Sequence, residues 1–123
     1  MSAAGTVAVQ TTDHGVVPVP EPSWCLGVHQ ATGFRSDVCH LGRTVAVKVQ
    51  TRCHGEVVLV EACLVQYPYS TGSRAPYVTV DFVGDGHEYS DAGLRGLSER
   101  LVGFALETVP RLRAELAAAG EVR

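Results

Sequence analysis

The chain has 123 residues, of which 46% are hydrophobic, and this length suffices for one domain with its own core but is short for two. Its formal charge of −3 and its ten scattered lysines and arginines argue against a surface for nucleic-acid backbones. No apolar run approaches the roughly 20 residues that span a bilayer, and the N-terminus lacks the basic and apolar regions of a secretion signal. We therefore expect a cytoplasmic protein.

The first third of the chain shows little regular periodicity. We expect residues 1–12 to form a flexible N-terminal tail, and the alternate prolines Pro18, Pro20 and Pro22 predict an extended segment outside any strand ladder. Between Ser23 and Gly42 no period of two or 3.6 residues persists. A loop of this length is unusual in a compact domain unless something holds it in place, and a bound metal ion is one such constraint.

The middle of the chain carries the strand patterns. The segment "RTVAVKVQT" alternates, with Val45, Val47 and Val49 on one face, and "YVTVDFV" alternates again. The segment "EVVLVEACLVQY" between them begins apolar on both faces, as a central strand does, and its second half, 61–67, fits either a strand or a short helix. "GDGHEY" predicts a tight turn followed by a short edge strand.

The C-terminal part predicts a helix that begins after Ser90, a suitable N-cap. Apolar residues keep a spacing of three and four through Pro110 to Leu116, which indicates a kinked helix or two paired helices, because proline interrupts helical hydrogen bonding. The order of elements predicts an α+β fold with a small antiparallel sheet of three to four strands, covered by this helix. We expect one zinc-binding domain over 13–120, with an N-terminal metal-binding loop.

The soft and borderline metal ligands of the chain lie mostly in that loop. In a reducing compartment, cysteines act as metal ligands or buried thiols more often than as disulfide partners. Four residues follow the spacing H-x10-C-x3-H-x10-H, and zinc favours thiolate and imidazole ligands of this kind: His14, Cys25, His29 and His40. The alternative is that these histidines are ordinary surface or hydrogen-bonded imidazoles that lie near a cysteine by chance.

The same segments carry a family resemblance. The runs "DHG", "PEPSWC", "GVH" and "RSDVCHLG", and later "APYVTVDFVGDGHEYSDAGLRGLSERL", resemble an uncharacterised family of short actinobacterial proteins, common in Streptomyces and known only as a domain of unknown function. The resemblance covers Asp13 to Leu116. It implies a zinc site of the CysHis3 type and no established activity, and its pattern falls on His14, Trp24, Cys25, His29, Asp37 and His40.

Several neighbours of these ligands have two interpretations. Asp13 and Asp37 could each hydrogen-bond an imidazole and fix its tautomer, or could cap turns as loop aspartates commonly do. Trp24 could exclude water from the ion or act only as a core anchor. Cys39 directly precedes His40 and leaves open which of the two is the fourth ligand. The pair Cys53 and His54 supplies too few ligands for a second site.

No catalytic template is present, since the chain lacks G-x-S-x-G, H-E-x-x-H and a glycine-rich phosphate loop. We therefore predict a non-enzymatic, zinc-stabilised interaction or regulatory module. The alternative is a zinc hydrolase or lyase with water in an open fourth position. The expected partner is an unknown protein or a small ligand rather than a membrane or a nucleic acid, and a sheet edge offers a route to a homo-oligomer.

Overall fold

The computed structural model describes residues 5–29 and 33–121 of the chain. It divides into two compact units, Met1–Tyr89 and Ser90–Arg123, which are taken separately below. The first unit contains the strands and the predicted metal-binding loop, and the second contains the helix. The expectation of a single domain over 13–120 stays a prediction.

The first unit opens with a two-stranded antiparallel hairpin. Strand β1 spans Thr6–Thr11, strand β2 spans Gly15–Pro20, and the register pairs Thr6 with Pro20 and Thr11 with Gly15. The sequence-based expectation of a flexible tail over 1–12 is therefore wrong for 6–11, while 1–4 lie outside the described residues. Strand β1 was missed because its pattern is short and its partner is rich in proline.

The prolines of β2 lie within the ladder, contrary to the prediction of an unpaired extended segment. The backbone N–H of Glu21 donates to the Gly5 carbonyl at 2.8 Å. In an antiparallel pair, hydrogen-bonded positions alternate with positions whose N–H groups face away. Pro20 and Pro18 therefore occupy positions where no ladder donor is required, which is where a strand accepts proline.

A larger antiparallel sheet of five strands follows. Its strands are β3 (His40–Leu41), β4 (Val45–Gln50), β5 (Glu56–Gln66), β6 (Tyr77–Phe82) and β7 (Asp85–Tyr89). The long strand β5 pairs with β3 and β4 along one edge and with β6 along the other, and β7 continues beyond β6. The undecided segment 61–67 is thus strand as far as Gln66.

The hairpin packs on the segment that leads into β3. Val9, Val19 and Val38 form a buried apolar cluster, and Val38 follows a single turn of 3-10 helix at Arg35–Asp37. The Tyr69 hydroxyl donates to the Pro18 carbonyl at 3.3 Å, and the Arg35 guanidinium lies 4.1 Å from the centre of the Tyr69 ring. These contacts place the end of β2 close to the beginning of β3.

The second unit is helical throughout 91–121. Helix α1 spans Asp91–Gly103 and helix α2 spans Val109–Glu121, and between them Phe104–Thr108 forms a π-helical turn. The predicted N-cap is confirmed, since the Ser90 side chain accepts a hydrogen bond from Gly93 N–H at 3.2 Å. The irregularity expected near Pro110 takes the form of the π-helical turn. The predicted α+β class with antiparallel pairing is confirmed, and the described residues form two sheets, of two and five strands, where one sheet of three to four strands was expected.

Candidate metal centre

Four potential metal ligands converge between the end of β2 and the start of β3. Each offers one ligand atom, and these atoms all lie within 4.8 Å of one another: Glu21, Cys25, His29 and His40. Three of the four residues predicted from the spacing are therefore brought together. The fourth member is a carboxylate rather than an imidazole.

Local structure positions each side chain of the cluster. Glu21 directly follows β2, and the Cys25 N–H donates to the Pro22 carbonyl at 3.1 Å, which closes a turn after it. Leu26 N–H then donates to the Leu41 carbonyl at 2.9 Å, so that the loop lies beside β3. Glu21 follows β2 and His40 begins β3. The ligand residues are therefore held in place by backbone hydrogen bonds of both sheets and of the turn between them.

The interatomic distances match a tetrahedral metal site in part. Glu21 Oε1 lies 2.7 Å from His29 Nε2 and 3.2 Å from His40 Nδ1, and Cys25 Sγ lies 3.9 Å from His29 Nε2. With zinc bonds of about 2.0 Å to nitrogen and oxygen and about 2.3 Å to sulfur, adjacent ligands lie about 3.3 to 3.6 Å apart. Of the three distances, only the 2.7 Å between Glu21 Oε1 and His29 Nε2 is clearly shorter than this range. That distance is typical of a hydrogen bond, which a bound zinc ion would replace.

His40 is the most deeply buried member of the cluster. Its side chain is 2% exposed, and among the described residues its Nδ1 atom has no hydrogen-bond partner, the Glu21 carboxylate lying 3.2 Å away. Its ring meets Trp24 edge-on, with the ring centroids 6.0 Å apart. An unsatisfied buried nitrogen lowers stability. A metal ion bound to Nδ1 would remove this penalty.

Burial and mutual contacts shift the pKa values within the cluster. For Glu21, burial acts to raise the pKa, but hydrogen bonds from Cys25 and His29, together with positive charge on the histidines, hold it below its ordinary value. Burial raises the pKa of the Cys25 thiol, although the Gly27 N–H at 3.3 Å from its sulfur acts in the opposite direction. Burial also lowers the pKa of His40. Without metal, the cluster thus favours a carboxylate, a thiol and a neutral imidazole.

The fourth histidine of the predicted ligand set lies elsewhere. His14 belongs to the turn between β1 and β2, its side chain is 53% exposed, and its Nδ1 lies 3.0 Å from the Asp13 carboxylate. Asp13 therefore contacts His14 as expected, and its second oxygen accepts a hydrogen bond from the Arg35 N–H at 2.8 Å. This pair joins the hairpin turn to the 3-10 helix and does not belong to the cluster.

The remaining predicted neighbours have different surroundings. Trp24 covers one side of His40, whereas the Asp37 carboxylate accepts a hydrogen bond from the Phe34 N–H at 3.3 Å and so caps the 3-10 turn. Cys39 is not among the grouped ligands, because consecutive residues of an extended chain point to opposite sides and His40 points into the cluster. Cys53 is exposed in the turn between β4 and β5.

Glu21 is the member that sequence reasoning missed. A signal for it exists, since Glu21, Cys25 and His29 follow the regular spacing E-x3-C-x3-H within "PEPSWCLGVH". Carboxylates are established zinc ligands, but glutamates are so common on surfaces that spacing alone rarely identifies one. The hairpin register places Glu21 at the cluster, and that register was not predicted.

Comparison with known families extends these observations. A family model described as Domain of unknown function (DUF6907) matches residues 6–118. The chain belongs to the DUF6907 family. This agrees with the resemblance to an uncharacterised family, and the matched span of the DUF6907 domain includes the whole cluster.

The DUF6907 domain has no further counterpart in the other comparisons, since no curated protein and no solved structure matches it. Among its described residues, no helix combines the length and apolar character needed to cross a membrane.

Proposed function

We propose that the DUF6907 domain binds one zinc ion through Glu21, Cys25, His29 and His40, and that this ion is structural in a non-enzymatic interaction or regulatory module. The observation that supports this proposal best is the buried Nδ1 of His40, which faces a carboxylate and lacks a hydrogen-bond partner among the residues that the structure describes. Buried polar atoms without partners are rare in native proteins, and a metal bond is one way to satisfy them.

The chemistry of the donor set favours a divalent, borderline-soft ion. One thiolate, one carboxylate and two neutral imidazoles carry a total charge of −2, which a divalent cation neutralises. A neutral assembly reduces the cost of burying charge. A thiolate together with imidazoles favours zinc over magnesium or calcium, which prefer oxygen ligands. The pKa directions of Cys25 and Glu21 imply that binding would release the Cys25 proton.

The proposed ligands come from separate parts of the chain, which supports a structural role for the ion. Glu21 follows the two-stranded sheet, Cys25 and His29 belong to the loop, and His40 begins a strand of the larger sheet. An ion bound to all of them would join the hairpin, the loop and the larger sheet. Cross-linking distant points of a chain restricts the unfolded state, and metal binding energy then contributes to folding.

The number of ligands distinguishes this role from zinc hydrolysis. Structural zinc sites commonly have four protein ligands, whereas catalytic sites have three and keep a position for water. The proposed set occupies all four positions, so we favour a structural ion over a hydrolase or lyase. A reducing compartment would keep the Cys25 thiol available as a ligand, and we expect the protein to be cytoplasmic.

The test is the metal content of the protein purified without chelator or nickel resin. We expect about one equivalent of zinc per chain, as one tetrahedral site requires. Cys25→Ser should lose stoichiometric zinc, while the matched variant Cys53→Ser, in an exposed turn, should retain it. Cobalt substitution should give thiolate charge-transfer absorption in the parent protein and not in Cys25→Ser. Protein without transition metal, or Cys25→Ser with full zinc, would refute the proposal.

A further inference from the structure

A cavity of about 510 Å³ lies beside the metal cluster, between β1 and the segment 33–41. Its lining includes three apolar side chains that are unusually exposed, Val28 at 77%, Phe34 at 55% and Leu41 at 44%. Small-molecule sites commonly have volumes of about 300 to 1,000 Å³ and mostly apolar walls. The size and the exposed apolar surface therefore suit a small organic ligand, and the aromatic side chains of Phe34 and Tyr67 in the lining suit a ring.

Charged side chains in the cavity lining indicate which charge the ligand would carry. The lining includes the exposed carboxylate of Asp37 and the aromatic ring of Tyr67, and among its described residues there is no lysine or arginine. A carboxylate attracts a cation, and aromatic faces add a favourable cation–π interaction. An anionic ligand would meet repulsion from Asp37, and the one basic side chain of the described lining, His29, already contacts the Glu21 carboxylate at 2.7 Å. The lining thus favours a cationic ligand over an anionic one of the same shape.

The second polar ring group of the lining, Tyr67, carries no charge that would compete with Asp37. A hydrogen bond with Cys39, assisted by burial, raises the pKa of Tyr67 to about 12. Its hydroxyl therefore stays protonated at neutral pH and can donate or accept a hydrogen bond. The carboxylate of Asp37 accepts one hydrogen bond from the Phe34 N–H, which fixes the position of the negative charge.

We propose that this cavity binds a small aromatic amine, with its ring against Phe34 and Leu41 and its ammonium group near Asp37. The residues that carry this assignment differ from the metal ligands, and only His29 belongs to both sites. Residues 30–32, which join two parts of the lining, lie outside the described residues and are not part of the proposed site. The binding of an amine is measured separately from the zinc content, so failure of one proposal is distinguishable from failure of the other.

The test uses three probes of nearly equal shape: 2-phenylethylamine, the neutral 2-phenylethanol and the anionic phenylacetate. Each is titrated into the isotope-labelled full chain, and amide chemical shifts are recorded by nuclear magnetic resonance. We expect saturable shifts at the cavity residues, with the amine bound most tightly and phenylacetate most weakly. The preference of the amine over the alcohol should be roughly two- to fivefold, the range for a solvent-exposed ion pair.

Two substitutions separate the charge from the apolar contact. Asp37→Asn keeps the acceptor for the Phe34 N–H and should remove the preference for the amine, whereas Asp85→Asn, on an exposed carboxylate of β7, should not. Phe34→Ala should weaken the amine and the alcohol alike. The proposal is overturned if the amine gives no saturable shifts at the cavity, if phenylacetate binds equally well, or if Asp37→Asn leaves the preference unchanged.

Discussion

Glu21 Oε1 lies 3.2 Å from His40 Nδ1, and this contact joins the residue after β2 to the first residue of β3. The same oxygen lies 2.7 Å from His29 Nε2, which makes Glu21 the residue that connects both imidazoles. Because the two contacts join a hairpin, a loop and a sheet, they depend on the tertiary structure and not on local spacing alone. The carboxylate is therefore the most informative position for testing the site.

Replacement of Glu21 by glutamine should weaken zinc binding by at least roughly tenfold, because the amide has a similar shape but no negative charge to balance the ion. The affinity is measured by competition with a chromophoric chelator. The matched control is Glu56→Gln, an exposed glutamate at the start of β5, which should bind zinc as the parent does. Equal affinity of the Glu21 variant and the parent would remove Glu21 from the ligand set.

Substitution of His14 and of His40, the first and last residues of the spacing H-x10-C-x3-H-x10-H, should have opposite effects on zinc binding. His14→Ala should retain about one zinc per chain, because the His14 side chain is exposed and pairs with Asp13 outside the cluster. His40→Ala should lose stoichiometric zinc, since it removes a grouped ligand atom. Elemental analysis of the folded variants distinguishes them. Loss of zinc from His14→Ala, with retention in His40→Ala, would restore the ligand set expected from spacing.

The strands with a strong local sequence pattern were predicted, and those without one were missed. Strands β4, β6 and β7 were predicted because alternation and tight turns identify strands without reference to their partners. The short strand β3 and the hairpin were missed, since a two-residue strand has no period and prolines mask β2. Cys25, His29 and His40 could be predicted from residue type. Glu21 could not, because only the β1–β2 register places it there.

Removal of the metal should loosen one part of the first unit selectively. With a strong chelator, amide hydrogen exchange should accelerate in 15–29 and 33–42, which include the cluster, and change little in the β6–β7 hairpin at 77–89. A ligand present at about 100 times its dissociation constant stabilises the folded state by about 2.7 kcal/mol, so the melting temperature should fall as well. Unchanged exchange after complete removal of zinc would show that the ion is not structural.

Acid should destabilise the metal-free protein from near neutral pH downward. Burial holds the pKa of His40 below its ordinary value of 6.5, despite the opposing effect of the Glu21 carboxylate. The unfolded chain therefore binds this proton first, so the free energy of unfolding falls as the pH drops below 6.5 toward the folded pKa. The lowered pKa of Glu21 acts in the same direction below its ordinary value of 4.5.

The measurement is denaturant unfolding in the presence of chelator, followed by the fluorescence of Trp24, the single tryptophan, which contacts His40. Between about pH 7.5 and about pH 5, the parent should lose stability more steeply than His40→Phe, which keeps an aromatic ring but does not titrate. His54→Phe, in the turn between β4 and β5, is the matched control and should retain the slope of the parent. Equal slopes for all three proteins would contradict the prediction.

Two glycine substitutions should have opposite effects. Gly27 has a φ of 80°, so Gly27→Ala should destabilise the loop by about 1 to 2 kcal/mol, although the added Cβ meets no closer atom than Glu21 Oε2 at 3.9 Å. Gly96 lies within α1, where nothing approaches an added Cβ within 4 Å. Gly96→Ala should therefore stabilise the helix by about 1 kcal/mol. Thermal unfolding compares the two, and a neutral Gly27 variant would contradict this account.

The π-helical turn determines how the two halves of the C-terminal helix are aligned. The Val109 N–H donates to the Phe104 carbonyl, so this turn contains one residue more than an α-helical turn. In a continuous α-helix, residues 104 and 109 would point in directions about 140° apart. The wider turn brings Phe104 and Val109 closer to the same side of the helix axis. Deleting a single residue here would rotate α2 by about 100° relative to α1.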